Sequence, residues 1–169
     1  MNERLSLKGA LTMGLFSALL AIVGCDRVAT GELRAGQSTV ADMKTQMGEP
    51  SDVHKEGDRE IWVYTLGPQG VKTYFMTVDP TGKLEKIDQV LTEENFKRIV
   101  PGMTTTEVRR VLGKHGSEKR YAMSINEVTQ VWKFNRDNAD WNFEVLIDGN
   151  GRVKSTGFDD PSLQRGSSK

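Results

Sequence analysis

From Ser38 onward the chain is written twice, and this duplication limits its possible folds more than any other feature. The stretch "STVADMKTQMG" (38–48) stands beside "MTTTEVRRVLG" (103–113), pairing Thr39 with Thr104, Asp42 with Glu107, Met43 with Val108, Met47 with Leu112 and Gly48 with Gly113. Next, "WVY" (62–64) faces "WKF" (132–134), and "VDPTGKL" (78–84) faces "IDGNGRV" (147–153). The offset between copies drifts only from 65 to 70 to 69 residues, so loops differ while order is kept. A repeat of this length is one supersecondary unit made twice.

Each unit can be read locally. Thr39-x-x-Asp42 and Thr104-x-x-Glu107 have capping-box spacing, in which the hydroxyl and carboxylate satisfy orphan N–H groups of a first helical turn. Val40, Met43 and Met47, and likewise Val108, Val111 and Leu112, fall on one helical face. Gly48 and Gly113 are expected to end these helices through a left-handed residue. Period-two alternation follows: Tyr74, Met76 and Val78 in the first copy, and Trp141, Phe143, Val145 and Ile147 in the second, each mark one face of a strand. Asp79-Pro-Thr-Gly82 and Asp148-Gly-Asn-Gly151 are hairpin turns.

A short helix capped by Thr92 and ended by Pro101-Gly102 joins the copies. The fold class expected is α+β: two tandem repeats, each a short helix or helical hairpin on a three- to four-stranded antiparallel sheet. The expected boundaries are 35–91 for repeat 1, 92–100 for the linker helix, 101–158 for repeat 2 and 159–169 for a disordered tail.

The N-terminus carries a different message. Arg4 and Lys8 precede a charge-free run from Gly9 to Gly24, a basic head and apolar middle of the kind found in secretory signal peptides. The run falls short of the ~20 apolar residues needed to span a bilayer core. It ends in Ile22-Val23-Gly24-Cys25, which holds the only cysteine of 169 residues and resembles the bacterial lipobox.

That resemblance implies cleavage after residue 24, diacylglycerol on the Cys25 thiol, and a lipidated tether over 25–34. Two or three acyl chains, at about 0.8 kcal/mol per buried methylene, would anchor the product stably. Asp26 next to the modified residue resembles an inner-membrane retention signal, which sets that membrane against the outer-membrane placement otherwise favoured. Loss of residues 1–24 takes Glu3, Arg4 and Lys8 from the 23 acidic and 23 basic residues. The remainder is nearly neutral, with no strong field for nucleic acid or an anionic surface.

Helix cap, helix stop, Trp-x-aromatic strand and "IDGNGRV" turn together resemble the SmpA/OmlA small lipoprotein family, whose BamE domain belongs to the outer-membrane β-barrel assembly machine. The tandem form is similar to the fold of the β-lactamase inhibitory protein. The resemblance covers about 33–158 and implies a periplasm-facing lipoprotein that binds envelope proteins, the β-barrel assembly machine among them. Two departures are plain: the assembly-machine subunit carries one copy where this chain carries two, and Asp26 is atypical of an outer-membrane passenger. The alternatives are an inhibitor of a periplasmic enzyme, and an inner-membrane sensor or ligand-binding lipoprotein.

Catalysis has little material. His54 and His115 follow helix-ending glycines in polar stretches and are expected as surface loop residues. Asp148-Gly-Asn150-Gly151 lacks the closing glutamate of a calcium loop. No nucleophile elbow or phosphate loop occurs, and Glu93-Glu94 and Asp159-Asp160 read as solvated charge. The expectation is a non-enzyme with no cofactor or metal beyond the lipid on Cys25, and with no small-molecule substrate. Candidate partner-binding residues are Ile61, Val63 and Phe75. They share the sheet face turned away from the first helix, whereas the second copy's equivalent face, with Val131, Lys133, Asn142 and Glu144, is more polar.

Overall fold

Duplication at the level of sequence becomes duplication at the level of single hydrogen bonds. The structure, a computed structural model, describes residues 30–66, 70–124 and 126–160. The expected signal peptide, Cys25, Asp26 and most of the expected tail lie outside the described residues. In chain order the elements are α1 (Val40–Met47), β1 (Asp52–Glu56), β2 (Arg59–Leu66), β3 (Lys72–Val78), β4 (Leu84–Gln89), α2 (Glu93–Lys97), α3 (Thr105–Leu112), β5 (Ser117–Lys119), β6 (Val128–Arg136), β7 (Ala139–Ile147) and β8 (Val153–Asp159). Two four-stranded antiparallel sheets result, β1-β2-β3-β4 and β5-β6-β7-β8, each a meander. The fold class is therefore α+β in two repeated units.

Both capping boxes form: Thr39 accepts from the Asp42 N–H and Thr104 from the Glu107 N–H, while each acid accepts from the cap's own N–H at 2.8 and 2.7 Å. These bonds hold the Asp42 and Glu107 carboxyls below their ordinary pKa values, with the N–H of Thr39 and of Thr104 the largest cause in each case. The hairpin turns also match. Asp79 Oδ1 accepts from the N–H of Thr81 and Lys83, and Asp148 Oδ1 from the N–H of Asn150 and Arg152, at the same 2.8 and 3.0 Å. A bulge follows in both copies, at Thr77/Val78 and at Leu146/Ile147.

Gly48 (φ 78°, ψ −160°) and Gly113 (φ 74°, ψ −170°) do stop the helices, but their ψ is extended, not left-handed helical as expected. This mirror-extended region is essentially closed to residues with a Cβ.

One pairing in the sequence needs correction. The strand register aligns Glu60↔Val78 with Val128↔Ile147, which places Tyr64, not Trp62, opposite Trp132 in the repeat. Side-chain bonds agree: Tyr64 Oη donates to the Gly48 carbonyl and Trp132 Nε1 to the Gly113 carbonyl. A slip of two residues keeps every side chain on its face, so alternation alone could not reveal it.

Each sheet buries its inner face under its own helix. The first core gathers Met43, Trp62, Tyr64, Tyr74, Met76, Val78 and Leu84. Leu33 joins it, so the expected tether already belongs to the folded body by that residue. The second core is larger and holds Val108, Leu112, Trp132, Phe134, Phe143, Val145, Ile147 and Val153. The segment expected to link the copies, 92–100, is part of this second core: Phe96 and Ile99 are buried in it together with Val90 and Leu91 from the end of the expected repeat 1, and the Phe96 ring stacks on Phe143 at 4.4 Å. Asp159, expected as the first residue of the tail, still pairs with Asn142 as the last residue of β8.

Candidate functional site

The face proposed from the sequence as a partner contact is occupied from within. Ile61 and Val63 are buried, at 6% and 2% exposure, and Phe75 is half-buried against the second core. The covering element is the end of α3. A Cβ built on Gly113 would lie 2.9 Å from Thr73 Cγ2 and 3.5 Å from both Phe75 Cε1 and Val63 Cγ1. Arg109 on α3 reaches across to Asp52 on β1 at 3.0 Å. The expectation that Ile61, Val63 and Phe75 form a free contact surface is thus corrected: Ile61 is buried, and Val63 and Phe75 join the two repeats. The physical reason is area, since a face this apolar is more stable covered than wet.

His54 belongs to a strand at this junction and not to a surface loop as expected, whereas His115 does lie in a loop, between α3 and β5, half-buried at the junction's rim. His54 sits on β1 with its ring edge-on to Phe75 at 6.1 Å, and its Nε2 is buried with no hydrogen-bond partner among the described residues. His115 is edge-on to Trp132 at 5.8 Å and lies 3.2 Å from Glu118. Burial lowers its pKa, partly offset by the Glu118 carboxylate. Sequence reasoning missed this because the polar neighbours of a histidine in the chain are not its neighbours in space.

Beside His115 an open cleft of about 210 Å³ is lined by Thr105, Thr106 and Arg109 of α3, by Gly113, Lys114 and His115, and by Gln130 and Trp132 of β6. Its cations face outward, and Arg109 is committed to Asp52. No group of three or more His, Cys, Asp or Glu side chains among the described residues could hold a metal ion. No helix among them is long and apolar enough to cross a membrane.

The exposed apolar surface lies elsewhere. In the first repeat β1 and β2 are joined by Gly57 and Asp58 alone, whereas residues 120–127 separate β5 from β6. That longer loop presents Tyr121 at 55% and Met123 at 97% exposure. A signal for it existed in the sequence. The offset between copies jumps between the helix and the strand that follows, which marks an insertion, and the insertion contains a tyrosine and a methionine that no core claims.

Fold and surface together define a class: a tandem α+β protein whose two sheets are fused through a buried junction and whose exposed apolar side chains lie on a loop and on strand edges. Among solved structures, the chain is similar to an osmotically inducible lipoprotein, OsmE, at 26% identity over 46% of this chain and 82% of that one, with a TM-score of 0.36. It is also similar to a DUF4309 family protein, YjgB, from Bacillus subtilis subsp. subtilis str. 168, at 13% identity over 77% and 83% of the two chains, with a TM-score of 0.30. No protein-family model and no curated protein matches the chain.

Proposed function

We propose that this chain is a lipid-anchored, periplasm-facing lipoprotein that acts by binding other envelope proteins and not by turning over a substrate. The observation that carries the reading is the lipobox-like Ile22-Val23-Gly24-Cys25, set five residues ahead of Thr30, where the described body begins. Five residues reach at most roughly 17 Å. A lipid on Cys25 would hold the folded body close to the bilayer surface, where its partners would be other envelope proteins, including those that assemble outer-membrane β-barrels.

Contact falls to the loop 120–127. Aromatic side chains supply much of the energy at protein interfaces, and methionine adapts its shape to an uneven surface. Tyr121 and Met123 stand out from the sheet with no core to bury them. The same projecting loop favours a second reading, insertion into the cleft of a periplasmic enzyme that the protein inhibits.

Mass spectrometry of the purified product tests the anchor: a diacylglyceryl adduct on Cys25 is expected, together with release from the membrane fraction on Cys25→Ser. An unmodified thiol on a soluble product would end the reading. Affinity capture of the detergent-solubilised lipoprotein tests the contact. Tyr121→Ala combined with Met123→Ala should lower recovery of the captured partner at least tenfold without shifting the melting temperature. Unchanged recovery would move the contact off this loop. Recovery of β-barrel assembly subunits supports the adaptor, and a lone soluble enzyme supports the inhibitor.

A further inference from the structure

An edge strand offers a row of backbone donors and acceptors to any other strand, and proteins blunt such edges with charge, short length or cover. The sheets of this molecule end on β1, β4, β5 and β8. Three of these edges are blunted. β1 carries Asp52, His54, Lys55 and Glu56, β5 has three residues, and β4 carries Glu85, Lys86 and Asp88. β8 is the counterpart of β4 at an offset of 69 residues, and where β4 has Lys86, Ile87, Asp88 and Gln89 it has Ser155, Thr156, Gly157 and Phe158. The run 154–158 is exposed throughout, with Phe158 at 48%.

The direction of its backbone groups follows from the hydrogen bonds across the sheet. The Val131 carbonyl accepts from the Gly116 N–H, so the polar groups of Val131 face β5 and its partner Glu144 turns its own groups to β8, where Gly157 lies opposite. Gly157 therefore bonds inward, and the N–H and C=O groups of Thr156 and Phe158 point away from the sheet. The first repeat agrees: the Val90 N–H bonds inward to the Thr73 carbonyl, two residues beyond Asp88, the counterpart of Gly157.

We infer that β8 pairs antiparallel with β8 of a second copy, across a two-fold axis at Gly157. In that register Thr156 and Phe158 of one copy exchange hydrogen bonds with Phe158 and Thr156 of the other, four bonds in all. On the inner face the threonine methyl meets the aromatic ring, a favourable cross-strand pair. On the other face Ser155 lies opposite Asp159 of the copy, and Lys154 falls opposite Asp160, so the ends are complementary in charge. Gly157 faces its own copy at about 4.5 Å between Cα atoms, the close spacing of a non-hydrogen-bonded pair, and has no side chain to obstruct it. β4 cannot do the same, because the equivalent axis would set Asp88 against Asp88. The self-complementarity of β8 is what singles out a second copy over an unrelated strand.

Sedimentation of the full lipoprotein in detergent should give twice the chain mass at tens of micromolar. Gly157→Lys should return it to a monomer with an unchanged melting temperature, since a Cβ at Gly157 meets nothing within 4 Å. In envelope membranes under mild oxidation, Gly157→Cys should form a disulfide-linked homodimer, because that Cα spacing suits a disulfide, and Thr156→Cys should form at least tenfold less. A monomer at every concentration, a dimer indifferent to Gly157→Lys, equal linkage by the two cysteine variants, or linkage of Gly157→Cys to a different polypeptide would each overturn the inference.

Discussion

The two repeats share a scaffold bond for bond but use it differently. The first turns both faces of its sheet to apolar contact, Trp62, Tyr64, Tyr74 and Met76 beneath its own helix and Val63 and Phe75 against its neighbour. The second buries its inner face in a phenylalanine stack, then spends its remaining surface on an extended loop and an edge strand whose centre, Ser155 to Phe158, carries no charge. Caps, turns and helix stops were retained because they specify the fold locally. The positions between them diverged, which left one copy as a platform and the other as the bearer of contacts.

The largest test of that contrast lies in the cores. Phe96→Ala removes the ring at the centre of the second stack, where it touches Phe134, Phe143 and Phe158, and should cost about 3–5 kcal/mol in chemical denaturation. Because the junction joins both cores, a single cooperative transition should shift as a whole. A separate early transition belonging to the second repeat alone would break the picture of a fused junction.

Next come the two helix-stopping glycines. Gly48→Ala and Gly113→Ala both force a Cβ into a glycine-only region, costing about 1–3 kcal/mol each. Only at Gly113 does the new carbon also strike Thr73, whereas nothing lies near Gly48. Gly113→Ala should therefore be the worse of the pair by melting temperature. Equal losses would mean that the sheet of repeat 1 yields easily at the junction.

The smallest effect concerns protons. His115 has its pKa lowered in the fold, chiefly by burial, so the unfolded chain takes up its proton more readily. Stability should be flat above the ordinary value of 6.5, fall as pH drops through it, and level off below the folded value. His115→Gln should remove that slope in a pH series of denaturation midpoints. A slope that persists in the variant would assign the titration to another group.

How much of this was legible in the sequence follows from how local each signal is. Thr39, Asp42, Thr104, Glu107 and the Asp79 and Asp148 turns act within five residues and form as their spacing predicts, and Gly48 and Gly113 end the helices where expected though with an extended ψ. Strand register is set by pairing across the sheet, so the Trp62–Trp132 match slipped by two residues while its face stayed right. The burial of Val63 and Phe75 depends on where a second repeat docks, and no local pattern records that. Tyr121 and Met123 were visible as an insertion, but only the fold shows that nothing covers them.

Val90 has one further consequence. Its amide proton serves the Thr73 carbonyl in the first sheet while its side chain is buried in the second core. A single residue is thus structural property of both halves. A protease nick or a gene split near it would strip one half of its final rung and the other of part of its wall, so neither fragment would inherit a complete body. The doubling that made this molecule cannot be reversed by cutting it in two.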